Sequence, residues 1–161
     1  MESQVGVGTV FKVFLPAVTQ SANAIENKID TSLVKRGHET ILLVEDEAPL
    51  RALTRAVLER YGYRVVEAVS GVDALAQWEQ CGAKVELLLT DMVMPDGLTG
   101  RQLAKRLQAS RPELKVIYTS GYTMNLEGTS FNVRDGANFL QKPYRPEHLF
   151  KAIRECLDQK S

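Results

Sequence analysis

The sequence predicts an α/β protein, a doubly wound sheet of five parallel strands with helices on both faces. Three observations support this fold class. From Glu39 onward, short apolar runs alternate with segments of helical periodicity, a pattern typical of parallel sheets. Residues 85–89 are apolar without interruption, as in a strand buried on both faces. Third, the chain contains five predicted strands that alternate with five helical segments, and the right-handedness of crossover connections leaves few possible topologies.

The first half of this pattern contains two strands and two helices. Residues 40–44 form the first predicted strand, and residues 48–61 form a helix that tolerates Pro49 in its first turn and ends at Gly62. Residues 63–68 form the second strand. A second helix begins at Ser70, with Asp73 as its capping-box partner, and ends near residue 82. The side chains expected to face the core from these helices are Leu50, Leu53, Val57, Leu58, Tyr61, Val72, Leu75 and Trp78.

The second half contains three strands and their helices. The third strand, residues 85–89, leads into Thr90 and Asp91, and a helix follows over residues 100–110. Residues 114–119 and 137–141 form the fourth and fifth strands, and Pro146 opens the last helix. Residues 121–136 are interrupted by glycines, so we expect only a short helix there. The predicted buried side chains of the third and last helices are Leu103, Leu107, Leu149, Phe150, Ile153 and Leu157.

The N-terminal segment differs from this pattern. Alternation over residues 10–15 predicts one strand after a glycine turn at residues 6–9, and a lone strand is marginal in water. A dinucleotide-binding fingerprint is excluded, because a third glycine and the flanking strand and helix are missing. Residues 20–38 are polar and weakly periodic, which is typical of a linker.

Composition narrows the function classes. Lys and Arg number 20, as do Asp and Glu, so the zero net charge favours neither nucleic acid nor an anionic membrane as a partner. No apolar run approaches the roughly 20 residues of a membrane span, and no secretory signal opens the chain. Cys81 and Cys156 are far apart in sequence and lack metal-ligand spacing. We therefore expect reduced thiols and a cytoplasmic protein.

Chemically active side chains follow four of the predicted strands. Glu45 and Asp46 follow the first strand and Asp91 ends the third, so three carboxylates should meet at the carboxyl edge of the sheet. Asp91 taken by itself would be read as a turn residue. The mutual repulsion of the three carboxylates would be relieved by a hard cation such as Mg²⁺. With the Ser120 hydroxyl and the Lys142 ammonium, the group suits phosphoryl transfer to Asp91 as nucleophile.

Taken in order, these motifs resemble the receiver domain of two-component response regulators over residues 40–158. Glu45 and Asp46 resemble the acidic pair of that family, and Asp91 in TDMVMPDG resembles its phospho-acceptor. The resemblance implies a Mg²⁺ site formed by Asp46, Asp91 and the carbonyl of Val93, with Glu45 beside them. It also implies that the domain catalyses its own phosphorylation and dephosphorylation.

Further positions match the same family. Ser120 in TSGY and Phe139 match its switch residues, and Lys142 followed by Pro143 matches its lysine and cis proline. Many receivers carry threonine at the Ser120 position, and serine should preserve the hydroxyl. Thr119 is a rival hydroxyl, but it precedes the exit of the strand. The resemblance implies a flavodoxin-like sheet with strand order 2-1-3-4-5.

A second resemblance concerns residues 1–19. They resemble the last glycine box and closing strand of a histidine-kinase ATP-binding domain, and the matching residues are Gly6, Gly8, Thr9, Phe11, Leu15 and Pro16. The remaining ATP-binding boxes are absent, so this segment should not bind ATP by itself. Together the two resemblances imply the C-terminal part of a hybrid sensor histidine kinase, with a strand remnant at residues 1–19, a linker at 20–38 and a receiver at 39–161.

The implied partner is a histidine kinase or a histidine phosphotransfer domain. We expect no nucleic-acid partner, no DNA-binding segment after the last helix and no direct membrane contact in this chain. A homodimer, and a membrane anchor elsewhere in the parent protein, are left open.

Three alternative functions compete with that of a hybrid kinase receiver. A free-standing single-domain regulator would share every site residue. A receiver-like interaction module that is never phosphorylated would be expected to lose an acid or Lys142, and neither is lost. A haloacid-dehalogenase-type phosphatase needs a second acid two residues after the nucleophile, where this chain has Val93.

Overall fold

The computed structural model describes residues 2–14, 36–94, 97–121 and 138–159. Seven strands and four α-helices are found within these ranges. The strands are β1 (Glu2–Gln4), β2 (Gly8–Val10), β3 (Thr40–Val44), β4 (Arg64–Ala68), β5 (Val85–Asp91), β6 (Lys115–Ser120) and β7 (Phe139–Gln141). The helices are α1 (Ala48–Arg60), α2 (Gly71–Cys81), α3 (Gly100–Ser110) and α4 (Pro146–Asp158), and a short 3-10 turn, Gly82–Lys84, follows α2.

Five strands form one parallel sheet in the order β4-β3-β5-β6-β7, which confirms the predicted order 2-1-3-4-5. All five residues of β3 are buried, and so are most of those in β5. The two central strands are therefore covered on both faces, as their uninterrupted apolar sequence predicted. An irregularity at the start of β3 shifts its register against β5, and Glu86 there accepts a hydrogen bond from the Thr40 N–H at 3.1 Å.

The sheet separates two apolar cores. One contains Leu42, Leu88 and Val116 from the sheet and Leu103 and Leu107 from α3, with side chains of α2 packed against it. The other joins alternate residues of the same strands to α1 and α4, and it includes Ile41, Leu43, Leu87, Leu89, Ile117, Leu58, Phe150 and Ile153. Consecutive strand residues thus point to opposite faces, so both layers of helices are needed to cover the sheet.

The helices begin and end close to the predicted residues, but two predicted core residues are wrong. Leu53 in α1 is 62% exposed and Val72 in α2 is 60% exposed. Both lie in the N-terminal half of their helices, near the carboxyl edge of the sheet. Ser70 caps α2 by accepting from the Asp73 N–H, whereas the Asp73 carboxylate accepts from the Val69 N–H and so does not close the predicted box.

The N-terminal segment is a hairpin, which corrects the prediction of a single strand over residues 10–15. β1 pairs with β2 in antiparallel orientation, and β2 ends at Val10. The turn between them uses Gly6 at φ +79°, a conformation that glycine adopts without strain. All six paired residues are exposed, as are Phe11 and Phe14.

Some predictions fall outside the described residues. These are most of the short helix expected over residues 121–136, the linker before residue 36, and two residues of the loop after Asp91, Pro95 and Asp96. Cys81 and Cys156 are both free thiols. Within the described ranges, each helix is too short or too polar to cross a lipid bilayer.

Candidate functional site

The register of the sheet brings the predicted site residues to one edge. Val44 lies opposite Thr90, so the residues that follow them, Glu45 and Asp91, reach the end of the sheet together. On the other side of β5, Asp91 lies opposite Thr119. Ser120 in turn lies opposite Gln141, so that Lys142 leaves β7 at the same edge. The alternation of strand and helix therefore determines which side chains can meet.

Three carboxylates form a cluster at this edge. Ligand oxygens of Glu45, Asp46 and Asp91 all lie within 4.8 Å of one another. Glu45 is buried, Asp91 is partly buried and Asp46 is exposed, so the cluster opens to solvent on the Asp46 side. Carboxylate oxygens are hard donors, which suits a hard divalent cation.

The Lys142 ammonium bridges two of these carboxylates. Its Nζ lies 2.7 Å from Oε2 of Glu45 and 2.6 Å from Oδ2 of Asp91. The Lys142 N–H donates to the carbonyl of Ser120 at 2.8 Å, and the peptide bond from Lys142 to Pro143 is cis. The main chain after β7 is thus tied to the end of β6, and the lysine side chain is directed at the acids. In this arrangement one positive charge already offsets part of the repulsion among three negative charges.

The protonation equilibria at the cluster reflect this balance. Burial raises the pKa of Glu45, and repulsion from Asp91 and Asp46 adds to this effect, while the Lys142 ammonium opposes it. Burial alone would lower the pKa of Lys142, but its hydrogen bonds to Asp91 and Glu45 outweigh burial, so its pKa is raised. Lys142 therefore remains a cation at neutral pH and can pair with developing negative charge.

The loop after Asp91 is held by main-chain hydrogen bonds. The Met92 N–H donates to the carbonyl of Thr119 at 2.9 Å, and the carbonyl of Met92 accepts from the Gly100 N–H at 3.2 Å. The Val93 N–H donates to Oδ1 of Asp91 at 3.1 Å. A side chain at Gly100 would overlap the carbonyl of Asp91, so glycine allows α3 to approach the site closely. No sequence pattern distinguishes Gly100 as the glycine that this contact requires.

The two predicted switch residues, Ser120 and Phe139, lie on the paired strands β6 and β7. Ser120 is the last residue of β6 and is buried, with its carbonyl bonded to Lys142. Phe139 opens β7 opposite Tyr118, and its half-buried ring packs against the core cluster on the α2 and α3 side. Thr119, which carries the rival hydroxyl, is also buried, and its Oγ1 lies 3.5 Å from the carbonyl oxygen of Thr90.

One basic residue at the site was not singled out from the sequence. Arg51 of α1 donates from Nη1 to the carbonyl of Glu45 at 2.7 Å. An arginine in the first turns of a helix is usually read as a solvated surface residue, and no sequence signal separates it from Arg55 one turn later. Only the direction of its side chain reveals the contact.

Comparison with known proteins identifies the family. The family model of the response regulator receiver domain matches residues 41–154. Sensor kinase CckA of Brucella abortus is 34% identical over 98% of this chain, which spans 17% of the length of that kinase. The response regulator receiver protein CpdR of the same organism is 31% identical over 73% of this chain and 95% of its own length.

A solved structure gives the same result. The receiver domain of hybrid histidine kinase CckA superposes with a TM-score of 0.61 at 31% identity, covering 73% of this chain and 98% of that domain. The family match over residues 41–154 includes the strands and helices that carry the carboxylate cluster and Lys142. The chain therefore belongs to the response regulator receiver domain family, and it is a receiver of two-component phosphorelay signalling.

Proposed function

We propose that Asp91 accepts a phosphoryl group from a phosphohistidine, with Mg²⁺ bound beside it. The observation that carries this proposal is the position of Asp91, whose carboxylate lies between two other acids and the Lys142 ammonium at the end of a central strand. A carboxylate that is partly buried yet open on the Asp46 side can be reached by a donor.

In this reaction an oxygen of Asp91 forms a bond to phosphorus as the bond from phosphorus to the histidine nitrogen breaks. The electron pair of the broken bond stays on the imidazole nitrogen. Lys142 stabilises the negative charge on the transferred group, and the Ser120 hydroxyl donates to one of its oxygens. Hydrolysis of the aspartyl phosphate would return the site to its starting state.

The proposed cation is Mg²⁺, which takes oxygen ligands and keeps water and phosphate oxygens in an octahedron. Asp46 and Asp91 would hold it directly with the carbonyl of Val93, and Glu45 would lie beside it. When bound, Mg²⁺ neutralises charge on the phosphoryl oxygens. The three carboxylates, whose oxygens lie within 4.8 Å of one another, support this assignment. A bound cation would relieve their mutual repulsion, and this relief favours binding.

We further propose that the chain is part of a hybrid sensor histidine kinase, with residues 1–19 from its ATP-binding domain, residues 20–38 as linker and residues 39–161 as receiver. The match to sensor kinase CckA covers 98% of this chain, whereas the match to CpdR covers 73%. The match to the sensor kinase must therefore include residues that precede the receiver, as a common kinase origin would predict. The partner would be a histidine kinase or phosphotransfer domain in the cytoplasm.

The proposal is tested by incubation with acetyl phosphate and by intact mass measurement. We expect a gain of one phosphoryl group with Mg²⁺ and no gain with excess chelator. Mg²⁺ should also raise the melting temperature of the native protein, as a ligand of the folded state does. Asp46→Ala should lose both effects, and Asp73→Ala, on α2, should keep both. Equal Mg²⁺ stabilisation of Asp46→Ala would place the cation elsewhere.

A further inference from the structure

Arg51 makes contacts that suggest a specific task at the carboxylate cluster. Its Nη1 lies 2.7 Å from the carbonyl oxygen of Glu45 and 3.4 Å from that of Asp46. It therefore touches the main chain of both members of the acidic pair rather than their carboxylates. The side chain of Arg51 is only 16% exposed. Its contact with Glu45 is partly buried, whereas its contact with Asp46 is exposed to solvent.

Lys142 pairs with the Glu45 carboxylate at 2.7 Å, but among the described residues few other contacts hold the loop that carries the acidic pair. The Glu45 N–H donates to the carbonyl of Ala68 at 3.2 Å as β3 ends. Glu47, at the start of α1, makes no side-chain capping hydrogen bond. Because Asp46 is exposed, packing does not fix its carboxylate, and its position depends on the main chain of the loop. A donor that holds the carbonyls of residues 45 and 46 would define that position.

Arg51 is itself anchored to the sheet. Its Nε lies 3.6 Å from Oε1 of Glu67 on β4. Glu67 is shared with Arg55, one helical turn further on, whose Nη1 lies 2.6 Å from Oε2. Arg55 makes its other contact with Glu59 at 2.9 Å, away from the loop. The two arginines thus share a helix and an anion, but Arg51 also contacts the acidic loop.

We propose that Arg51 is a positioning residue for the acidic pair, holding the main chain of Glu45 and Asp46 so that their carboxylates face Asp91 before a cation binds. This inference rests on the proposed function, because it assigns Arg51 to the Mg²⁺ site described there. A planar guanidinium can donate to the loop and face Glu67 at once, whereas a lysine ammonium cannot present donors in that fork. The role is therefore geometric and not only a matter of charge.

Titration of the full chain with Mg²⁺ in a calorimeter tests this role. Arg51→Gln should raise the Kd for Mg²⁺ about tenfold, the usual scale for losing a residue that orients metal ligands. Arg51→Lys should also bind Mg²⁺ more weakly although it keeps the charge. Arg55→Gln is the matched control and should retain the wild-type Kd, because it loses the Glu67 contact but not the loop contact. Urea unfolding without Mg²⁺ shows whether each variant is folded.

The dependence of acetyl phosphate labelling on Mg²⁺ concentration separates positioning from chemistry. In Arg51→Gln the half-saturating Mg²⁺ concentration should rise while the maximal rate is retained. A lower maximal rate at unchanged half-saturation would overturn the inference, as would Mg²⁺ affinities equal to that of Arg55→Gln. If Arg51→Gln does not fold, Arg51→Lys is judged by the same criteria. A wild-type protein that binds no Mg²⁺ would instead overturn the proposed function, and this inference with it.

Discussion

Among single residues, Lys142 offsets the charge of two of the three acids at the site. It forms ion pairs with both Glu45 and Asp91, and its raised pKa keeps it charged. Removing one partner from a largely buried set of ion pairs leaves the remaining charges without compensation. The carboxylate cluster should therefore need Lys142 for the stability of the fold as well as for phosphoryl transfer.

We predict that Lys142→Met lowers the free energy of unfolding by about 3 kcal/mol without Mg²⁺, the scale for breaking a buried ion pair. Mg²⁺ should recover part of this loss, since a cation also compensates the acids. Urea denaturation measures both effects. Lys151→Met, which removes an exposed partner of Glu155, is the control and should cost little. Equal losses in the two variants would show that Lys142 does not balance the buried acids.

Single residues also mark where the sequence was least informative. The grouping of Asp91, Lys142 and the acidic pair at one edge was predictable, because each of them ends or follows a predicted strand. The helical period placed Leu53 and Val72 on an inner face, but it cannot show that the sheet ends beneath them. Arg51 and Gly100 act through the main chain of neighbouring loops, which composition and spacing do not reveal.

At the scale of elements, an ion pair joins the entry of the first sheet strand to the last helix. Glu39, just before β3, accepts from Nη2 of Arg154 in α4 at 2.7 Å, and the Arg154 guanidinium lies over the Tyr63 ring. Burial would raise the pKa of Glu39, but hydrogen bonds from Arg154 and from main-chain N–H groups outweigh it and lower the pKa. A lowered pKa in the folded state means that stability is gained above the unfolded pKa and lost below the folded one.

We therefore predict that Glu39→Gln destabilises the protein near pH 7. Its difference from wild type should start to shrink as the pH falls below the unfolded pKa of about 4.3, and it should vanish once the pH falls below the lowered folded pKa, where the carboxylate is protonated in both folded and unfolded chains. Denaturant unfolding of both proteins across this range measures the difference. Glu113→Gln, which removes an exposed carboxylate, should show almost no dependence on pH. A Glu39→Gln loss that is constant from pH 7 to pH 3 would contradict the ionic role of this pair.

Two strands, β6 and β7, carry the proposed switch. Ser120 ends β6, and Phe139 begins β7 with its ring half-buried against the core. A phosphoryl group on Asp91 adds charge and acceptor oxygens that would attract the Ser120 hydroxyl. Movement of Ser120 would change the space beside β6 into which Phe139 could turn. The population of the turned state can shift only as far as these differential contacts allow.

Amide NMR with beryllofluoride, which mimics the phosphoryl group, tests this coupling. We predict that wild type shows large shift changes around Phe139 and that Ser120→Ala loses most of them while still binding the mimic at Asp91. Thr119→Val removes the neighbouring buried hydroxyl and should respond as wild type does. Identical changes near Phe139 in wild type and Ser120→Ala would rule out the coupling, and loss of the response in Thr119→Val alone would assign it to the rival hydroxyl.

Elements also show why the fold was largely predictable. Strands β3 and β5 are buried on both faces, so their apolar runs stand out from the helices between them. The N-terminal hairpin was harder to predict, because Glu2–Gln4 is polar and fully exposed and so carries no alternating pattern. Its pairing depends on the turn at Gly6 and on the main chain, neither of which apolar periodicity reports.

At the scale of the whole molecule, the receiver should be independent of the N-terminal hairpin. The paired residues of β1 and β2 are exposed, as are Val5, Val7, Val13 and Phe14 beside them. This apolar surface fits a segment whose own sheet lies in another domain, as the proposed kinase origin requires. Deleting residues 1–30 should therefore change the free energy of unfolding by less than about 0.5 kcal/mol, the usual range for changes at exposed sites.

Urea denaturation and acetyl phosphate labelling of the shortened chain measure this independence. Both should match the full chain, and the shortened protein should be less prone to associate, because it lacks an exposed apolar edge. Deleting residues 1–39 is the contrasting variant, since it also removes Glu39 and its ion pair with Arg154, and it should lose stability. A large loss in the shorter deletion would make the hairpin an integral part of the receiver.

In the proposed reaction Asp91 alone carries the phosphoryl group. Labelling with acetyl phosphate and Mg²⁺, trapping of the aspartyl phosphate with borohydride and peptide mapping by mass locate the modified residue. The modification is predicted on Asp91 in wild type and absent from Asp91→Asn, and Asp46→Ala should also leave Asp91 unmodified because it loses the cation. Equal labelling of Asp91→Asn, or a trapped residue other than Asp91 in wild type, would contradict the account.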